Sequence, residues 1–165
     1  MKTYEQIFRY AMQMELDGYN FYKDKAKDMS NPTTEKLFLN LSKTEMEHYK
    51  YIENLLNRYI ETDSFGMDPE LLDREESIFE EREDSEHIDA TLQESDIPDI
   101  TVLRMAYLIE RDYKEFYQNA ADNIEDKEVK AIFERLSKWE EGHESLFKSE
   151  YDRRMKEYMT LPWGG

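Results

Sequence analysis

The second half of this sequence repeats the first half at a fixed spacing, and that repeat limits the folds open to the chain. Residues 136–143 read Leu-Ser-Lys-Trp-Glu-Glu-Gly-His, and residues 41–48 read Leu-Ser-Lys-Thr-Glu-Met-Glu-His. Both copies place a Glu three residues before a His. Residues three apart share one face of a helix. Each copy can therefore present two metal-binding side chains to a single point in space.

A shift of 95 residues aligns the two halves without a gap. The pairs that it matches include the three that carry metal-binding chemistry, which are Glu15 with Glu110, Glu45 with Glu140, and His48 with His143. In each half the first Glu precedes the second by 30 residues, which puts the two at similar heights on antiparallel helices. The halves are therefore interpreted as two copies of one helical hairpin.

Apolar residues recur at three- and four-residue steps in four segments, a periodicity that predicts amphipathic helices. We expect these helices at about residues 4–29, 34–60, 101–124 and 127–159. The repeated Glu and His residues fall on the apolar stripes, which are the faces that a bundle buries. The pattern therefore predicts six ionisable side chains in the interior of an all-α four-helix bundle.

The direction of the helices follows from the repeat. Hairpin copies that face each other across a two-fold axis run up, down, down, up, so the second and third helices are parallel neighbours. A helix of about 27 residues is about 40 Å long, and the chain must travel back that distance. Residues from about 61 to 99 can do so, with a short amphipathic helix expected at about 69–82. We predict one domain over residues 1–165 with one long crossover and a non-helical tail at 160–165.

Composition excludes several classes of function. The net charge of −17 disfavours nucleic acid and anionic membranes as partners. The absence of cysteine removes disulfides, thiolate zinc sites and iron–sulfur clusters. The sequence has no apolar run long enough for a membrane span and no signal-peptide pattern, so we expect a cytoplasmic protein.

The predicted interior contains four carboxylates and two imidazoles. Uncompensated carboxylates in an apolar interior cost several kcal/mol each, and two divalent cations would cancel four negative charges. Oxygen-rich ligation with one imidazole per cation suits iron or manganese. The expected roles are bridging for Glu45 and Glu140, one cation completed by Glu15 and His48, and the other completed by Glu110 and His143.

One Glu on each of two helices and Glu-x-x-His on each of the other two resembles the ferritin-like dinuclear iron carboxylate proteins. Within that superfamily the sequence is most similar to rubrerythrin-type proteins reduced to the bundle domain, over about residues 4–60 and 99–151. The resemblance implies a ferritin-like fold, two iron ions, and reduction of hydrogen peroxide or dioxygen as a defence against oxidative stress. It also implies a homodimer or a larger assembly, of which we expect the homodimer. Tyr22 and Tyr117 match tyrosines that hydrogen-bond the ligand carboxylates in the family.

The sequence departs from the rubrerythrin pattern at two points. Rubrerythrins carry an additional Glu one turn after the third-helix ligand, where this chain has Tyr113. They also usually carry a cysteine-ligated iron that passes electrons in, so this chain would need an external electron donor. The six ligands taken alone fit the bacterioferritin pattern better, although the long acidic connection and the Pro-Trp-Gly-Gly ending give no positive sign of a storage cage.

Two other functions stay open at this point. One is a ferroxidase that handles iron, and the other is a bundle that metals stabilise without catalysis. Manganese remains an alternative to iron because both accept these ligands.

Overall fold

Four helices form the regular structure of residues 3–30, 32–66 and 97–160, which are the residues that the computed structural model describes. They are α1 (Glu5–Ala26), α2 (Pro32–Thr62), α3 (Ile97–Asn123) and α4 (Lys127–Met159). No strand occurs within these ranges. The predicted all-α fold with four long helices is therefore confirmed.

The helix ends follow local sequence rules. The Asp126 side chain accepts hydrogen bonds from the backbone N–H groups of Glu128 and Val129, at 2.9 and 3.2 Å, and this N-cap starts α4 at the predicted place. Helix α2 begins two residues earlier than predicted, with Pro32 in its first turn, where the missing N–H breaks no helical bond. Helix α3 also begins earlier, at Ile97, because Pro98 is compatible with a first turn.

The helices pair as two hairpins, α1 with α2 and α3 with α4. Contacts between the hairpins fix their relative direction, since Tyr22 of α1 bonds Glu110 of α3 while Tyr117 of α3 bonds Glu15 of α1. Residues later in α1 therefore meet residues earlier in α3, and these two helices are antiparallel. It follows that α2 and α3 run in the same direction, as the repeat predicts.

Two apolar clusters fill the two ends of the bundle. The first contains Phe8, Leu56 and Phe133, and the second contains Phe38, Leu103 and Phe147. Helix α2 ends at the first cluster, where Phe65, just beyond the helix, stacks on Tyr59 at 4.6 Å between ring centroids. Helix α3 starts at the second cluster. The end of α2 and the start of α3 therefore lie at opposite ends of the bundle, an arrangement that the predicted crossover would join.

The helix predicted at about residues 69–82 lies outside the described residues, as does the tail at 161–165. Within the described part, none of the helices combines the length and the apolar composition that crossing a membrane requires.

At the second end of the bundle, the fully buried Arg154 joins α4 to α2. Its guanidinium donates to the Thr34 hydroxyl at 3.1 Å and to the Glu150 carboxylate of its own helix at 2.7 Å.

Candidate metal centre

The repeat places its six ionisable side chains at mid-height in the bundle, between the two apolar clusters. Helix α1 contributes Glu15, α2 contributes Glu45 and His48, α3 contributes Glu110, and α4 contributes Glu140 and His143. Five of the six have no exposed surface and His143 is 2% exposed. The face that the apolar periodicity assigns to the core is thus the face on which these side chains lie.

The six residues fall into two groups of four whose potential ligand atoms all lie within 4.8 Å of one another. The first group is Glu15, Glu45, His48 and Glu140, and the second is Glu45, Glu110, Glu140 and His143. Glu45 and Glu140 belong to both groups. Each group can hold one cation, and the shared carboxylates lie where they can contact both.

The two imidazoles point into these groups, and their Nδ1 atoms lie at different distances from the carboxylate oxygens. His48 Nδ1 lies 3.3 Å from Glu15 Oε2 and 3.2 Å from Glu140 Oε1. His143 Nδ1 lies 3.5 Å from Glu110 Oε2, 3.5 Å from Glu140 Oε2 and 3.7 Å from Glu45 Oε1. Both rings therefore already face the carboxylates with which they would share a cation.

Two buried tyrosines hold the lone carboxylates of α1 and α3 from the opposite hairpin. Tyr22 donates to Glu110 Oε1 and Tyr117 donates to Glu15 Oε1. Each bond occupies one oxygen and leaves the other, Oε2, beside the imidazole of its own group. The tyrosines thus orient the carboxylates and link the two hairpins at the same time.

The electrostatics reflect crowded carboxylates in a dry site. Burial, reinforced by the repulsion of Glu140, raises the pKa of Glu45 well above its ordinary value and that of Glu110 to about 8. Burial disfavours charge on His48, but the neighbouring Glu15 and Glu140 outweigh it and raise its pKa to about 9. Burial likewise opposes ionisation of Glu140, and the neighbouring imidazoles of His143 and His48 nevertheless lower its pKa. Without cations, protons compensate the charge of this site.

The unmet hydrogen-bonding capacity of the site fits a cation. Both oxygens of Glu45 and both oxygens of Glu140 are buried and accept no hydrogen bond from the described residues. Buried polar atoms without a partner are destabilising, and these four atoms belong to the two carboxylates shared by both groups. Four carboxylates with two imidazoles form a donor set suited to iron or manganese.

Helix α1 packs closely against α2 and α3 at Gly18, where Tyr113 is its neighbour on α3. The sequence alone does not identify these two residues as a pair. A Cβ atom on Gly18 would lie 3.2 Å from Glu45 Oε2 and 3.2 Å from Tyr113 Cε2. The Tyr113 hydroxyl donates to the Met14 carbonyl at 2.7 Å. Tyr113 therefore lines the site beside Glu45. Its signal in the sequence was a mismatch, since the 95-residue shift aligns Tyr113 with Gly18.

Trp139 is a second residue that periodicity alone did not identify. Its ring stacks on the His48 imidazole, with centroids 5.1 Å apart and an angle of 18° between the planes. Tyr51 packs against the Trp139 ring in a T-shaped contact, with 5.4 Å between the ring centroids. Here too the repeat breaks, because the residue aligned with Trp139 is Thr44.

A four-helix bundle with two repeated Glu-x-x-His turns and two further inward carboxylates is the arrangement of the ferritin-like di-iron carboxylate superfamily. The family profile of rubrerythrin matches residues 6–151, and the chain therefore belongs to the rubrerythrin family. Comparison with curated proteins and with solved structures gives no significant match. Because the chain has no cysteine, it lacks the ligands of a rubredoxin domain.

The raised pKa of Glu110 predicts that the metal-free protein loses stability as pH rises. Between the ordinary carboxyl pKa and about 8, the folded chain keeps the Glu110 proton and the unfolded chain releases it, so unfolding becomes easier. In the presence of a chelator, we expect Glu110→Gln to reduce this loss by up to about 5 kcal/mol. Gln keeps an oxygen that can accept from Tyr22. Urea unfolding at a series of pH values measures the effect.

The matched control is Glu115→Gln, an exposed position on the same helix. This variant should retain the decline of the unsubstituted chain. Parallel curves for the unsubstituted chain and Glu110→Gln would show that Glu110 is not held in its neutral form.

Proposed function

We propose that this protein binds two divalent iron ions at the six-residue centre and reduces hydrogen peroxide or dioxygen with electrons from an external donor. Manganese is the alternative metal. The observation that carries the proposal is the sharing of Glu45 and Glu140 between two four-residue groups. A single-cation site would not need two such groups with two members in common.

Charge supports the number of cations. Four ionised carboxylates carry four negative charges, and two divalent cations neutralise them while the imidazoles remain neutral ligands. Cations would take the place of the protons that the buried Glu45 and Glu110 hold in their absence. The metal-loaded centre would be neutral in total, which is the condition under which a dry interior tolerates it.

The rubrerythrin family typically binds iron, and iron pairs supply electrons to O–O bonds when bound. Reduction of one hydrogen peroxide molecule to two water molecules consumes two electrons and two protons. The two apolar clusters keep bulk water from the centre, and the crossed tyrosine bonds hold Glu15 and Glu110 in place during the change of charge. Since the chain has no cysteine for a second iron site, the electrons come from a separate donor.

Stopped-flow mixing of the iron-loaded, reduced protein with hydrogen peroxide, and separately with dioxygen, tests this function. We expect oxidation at least about 100-fold faster than in Glu45→Ala, which lacks a shared carboxylate. The control is Glu61→Ala, an exposed position on the same helix, which should react at the rate of the unsubstituted chain. The faster of the two oxidants identifies the substrate.

Equal oxidation rates in Glu45→Ala and in the unsubstituted chain would refute the proposal. Uptake of many iron ions per chain, rather than two, would favour the ferroxidase function. Loss of thermal stability on chelation without any redox reaction would favour a bundle that metal merely stabilises.

The crossed tyrosine bonds predict a specific loss of metal affinity. Tyr22→Phe removes the donor to Glu110 and leaves that carboxylate free to rotate, so we expect cation binding to weaken about tenfold. Competition against a chelating dye measures the affinity. Tyr19→Phe is the matched control, because the exposed Lys23 ammonium donates to the Tyr19 hydroxyl at 3.1 Å and neither group belongs to the centre. Equal affinities in the two variants would contradict the orienting role of Tyr22.

A further inference from the structure

The two halves of the centre are built from repeated sequence, yet their surroundings differ, and one of the differences lies beside an imidazole. The residue that precedes the α4 ligand Glu140 is Trp139, and the residue aligned with it, before Glu45 on α2, is Thr44. A tryptophan ring and a threonine side chain differ in volume and in their capacity to stack. The pseudo-symmetry of the ligands therefore does not extend to the side chains that support them.

Trp139 supports the imidazole of the opposite hairpin. Its ring lies nearly parallel to His48, with 5.1 Å between centroids, and Tyr51 holds Trp139 from its edge at 5.4 Å. Trp139 is 5% exposed and Tyr51 is 7% exposed, so the stack is enclosed. The aligned Thr44 instead turns its hydroxyl to the Asn40 carbonyl of its own helix, at 3.2 Å. Threonine offers no aromatic face on which an imidazole can stack. The His48 ring therefore lies between Trp139 and the His143 imidazole, which is 5.9 Å away between centroids, while His143 has the His48 ring as its stacking neighbour.

The distances within the centre show the same inequality. The closest carboxylate oxygens lie 3.2 and 3.3 Å from His48 Nδ1, and those around His143 Nδ1 lie at 3.5 Å or beyond. A ligand whose ring is already fixed by packing loses less conformational freedom when it binds a cation. The group that contains His48 is the more pre-organised of the two.

We propose that the two cation positions are inequivalent, that the position of Glu15 and His48 fills first, and that Trp139 is the positioning residue that makes it the tighter site. The position of Glu110 and His143 is then the second to fill and the first to lose its cation. This inference rests on the proposed two-cation centre. It implies that a chain with a single cation bound is a discrete species, in which Glu15 and His48 would hold the cation.

Titration of the metal-free, full-length chain with Co(II) tests the order of filling. Trp139 and Trp163 are the two tryptophans of the chain, so Trp163→Phe makes Trp139 the sole source of tryptophan fluorescence. We expect the first equivalent of Co(II) to produce the larger part of the fluorescence change. Calorimetry on the same protein gives the two binding constants.

Repulsion between two cations would also give two binding steps, even in a symmetric site. Histidine variants distinguish that case from two inequivalent positions. His143→Ala should retain the tight step with its fluorescence change, and His48→Ala should lose it. Trp139→Thr, which copies the Thr44 side of the repeat, should weaken the tight step about tenfold. Trp139→Phe retains a ring and should restore most of that affinity. Circular dichroism verifies that each variant is folded.

Loss of the tight step in His143→Ala instead of His48→Ala would overturn the order of filling while leaving the two-cation centre intact. Equal loss in both variants would do the same. A folded Trp139→Thr chain that keeps the tight step at full affinity would overturn the role of Trp139. If Trp139→Thr does not fold, Trp139→Leu, which keeps an apolar side chain without a ring, makes the same test. Failure of the unsubstituted chain to bind Co(II) at all would overturn the metal centre itself.

Discussion

The burial of four carboxylates and two imidazoles between two apolar clusters is the constraint on which the rest of this structure depends. Each carboxylate costs several kcal/mol to bury without compensation. The chain reduces that cost with tyrosine hydroxyls on Glu15 and Glu110 and with imidazoles beside all four carboxylates. The oxygens of Glu45 and Glu140 accept no hydrogen bond from the described residues, and they lie where two cations would share them.

The bundle topology serves this centre. Because the hairpins are copies, each supplies one lone Glu and one Glu-x-x-His turn, and an antiparallel arrangement of α1 and α3 brings each tyrosine to the carboxylate of the other copy. The apolar clusters at the two ends carry the hydrophobic stabilisation and leave the middle for polar groups. The predicted long crossover is consistent with the same topology, since α2 ends and α3 begins at opposite ends of the bundle.

The extent of prediction from sequence follows the range of each interaction. The start of α4 at Lys127 depends on a cap within four residues, and the shared face of Glu140 and His143 depends on one helical turn, so both are readable locally. The 95-residue repeat extended this reasoning to hairpin pairing and to the crossover. The stacking of Trp139 on His48 and the bond from Tyr113 to Met14 join different hairpins. They depend on the rotation of each helix about its axis, which periodicity fixes only coarsely. Where the repeat broke, at Trp139 and Tyr113, the structure has its asymmetric contacts.

The central claim is that the repeated ligands form one centre for two cations. Crystals of the iron-loaded protein, measured on both sides of the iron absorption edge, locate the metal independently of any assay of activity. We expect two anomalous peaks about 3.5–4 Å apart, with Glu45 and Glu140 contacting both. A single peak between the six side chains, or peaks only on the acidic surface, would contradict it.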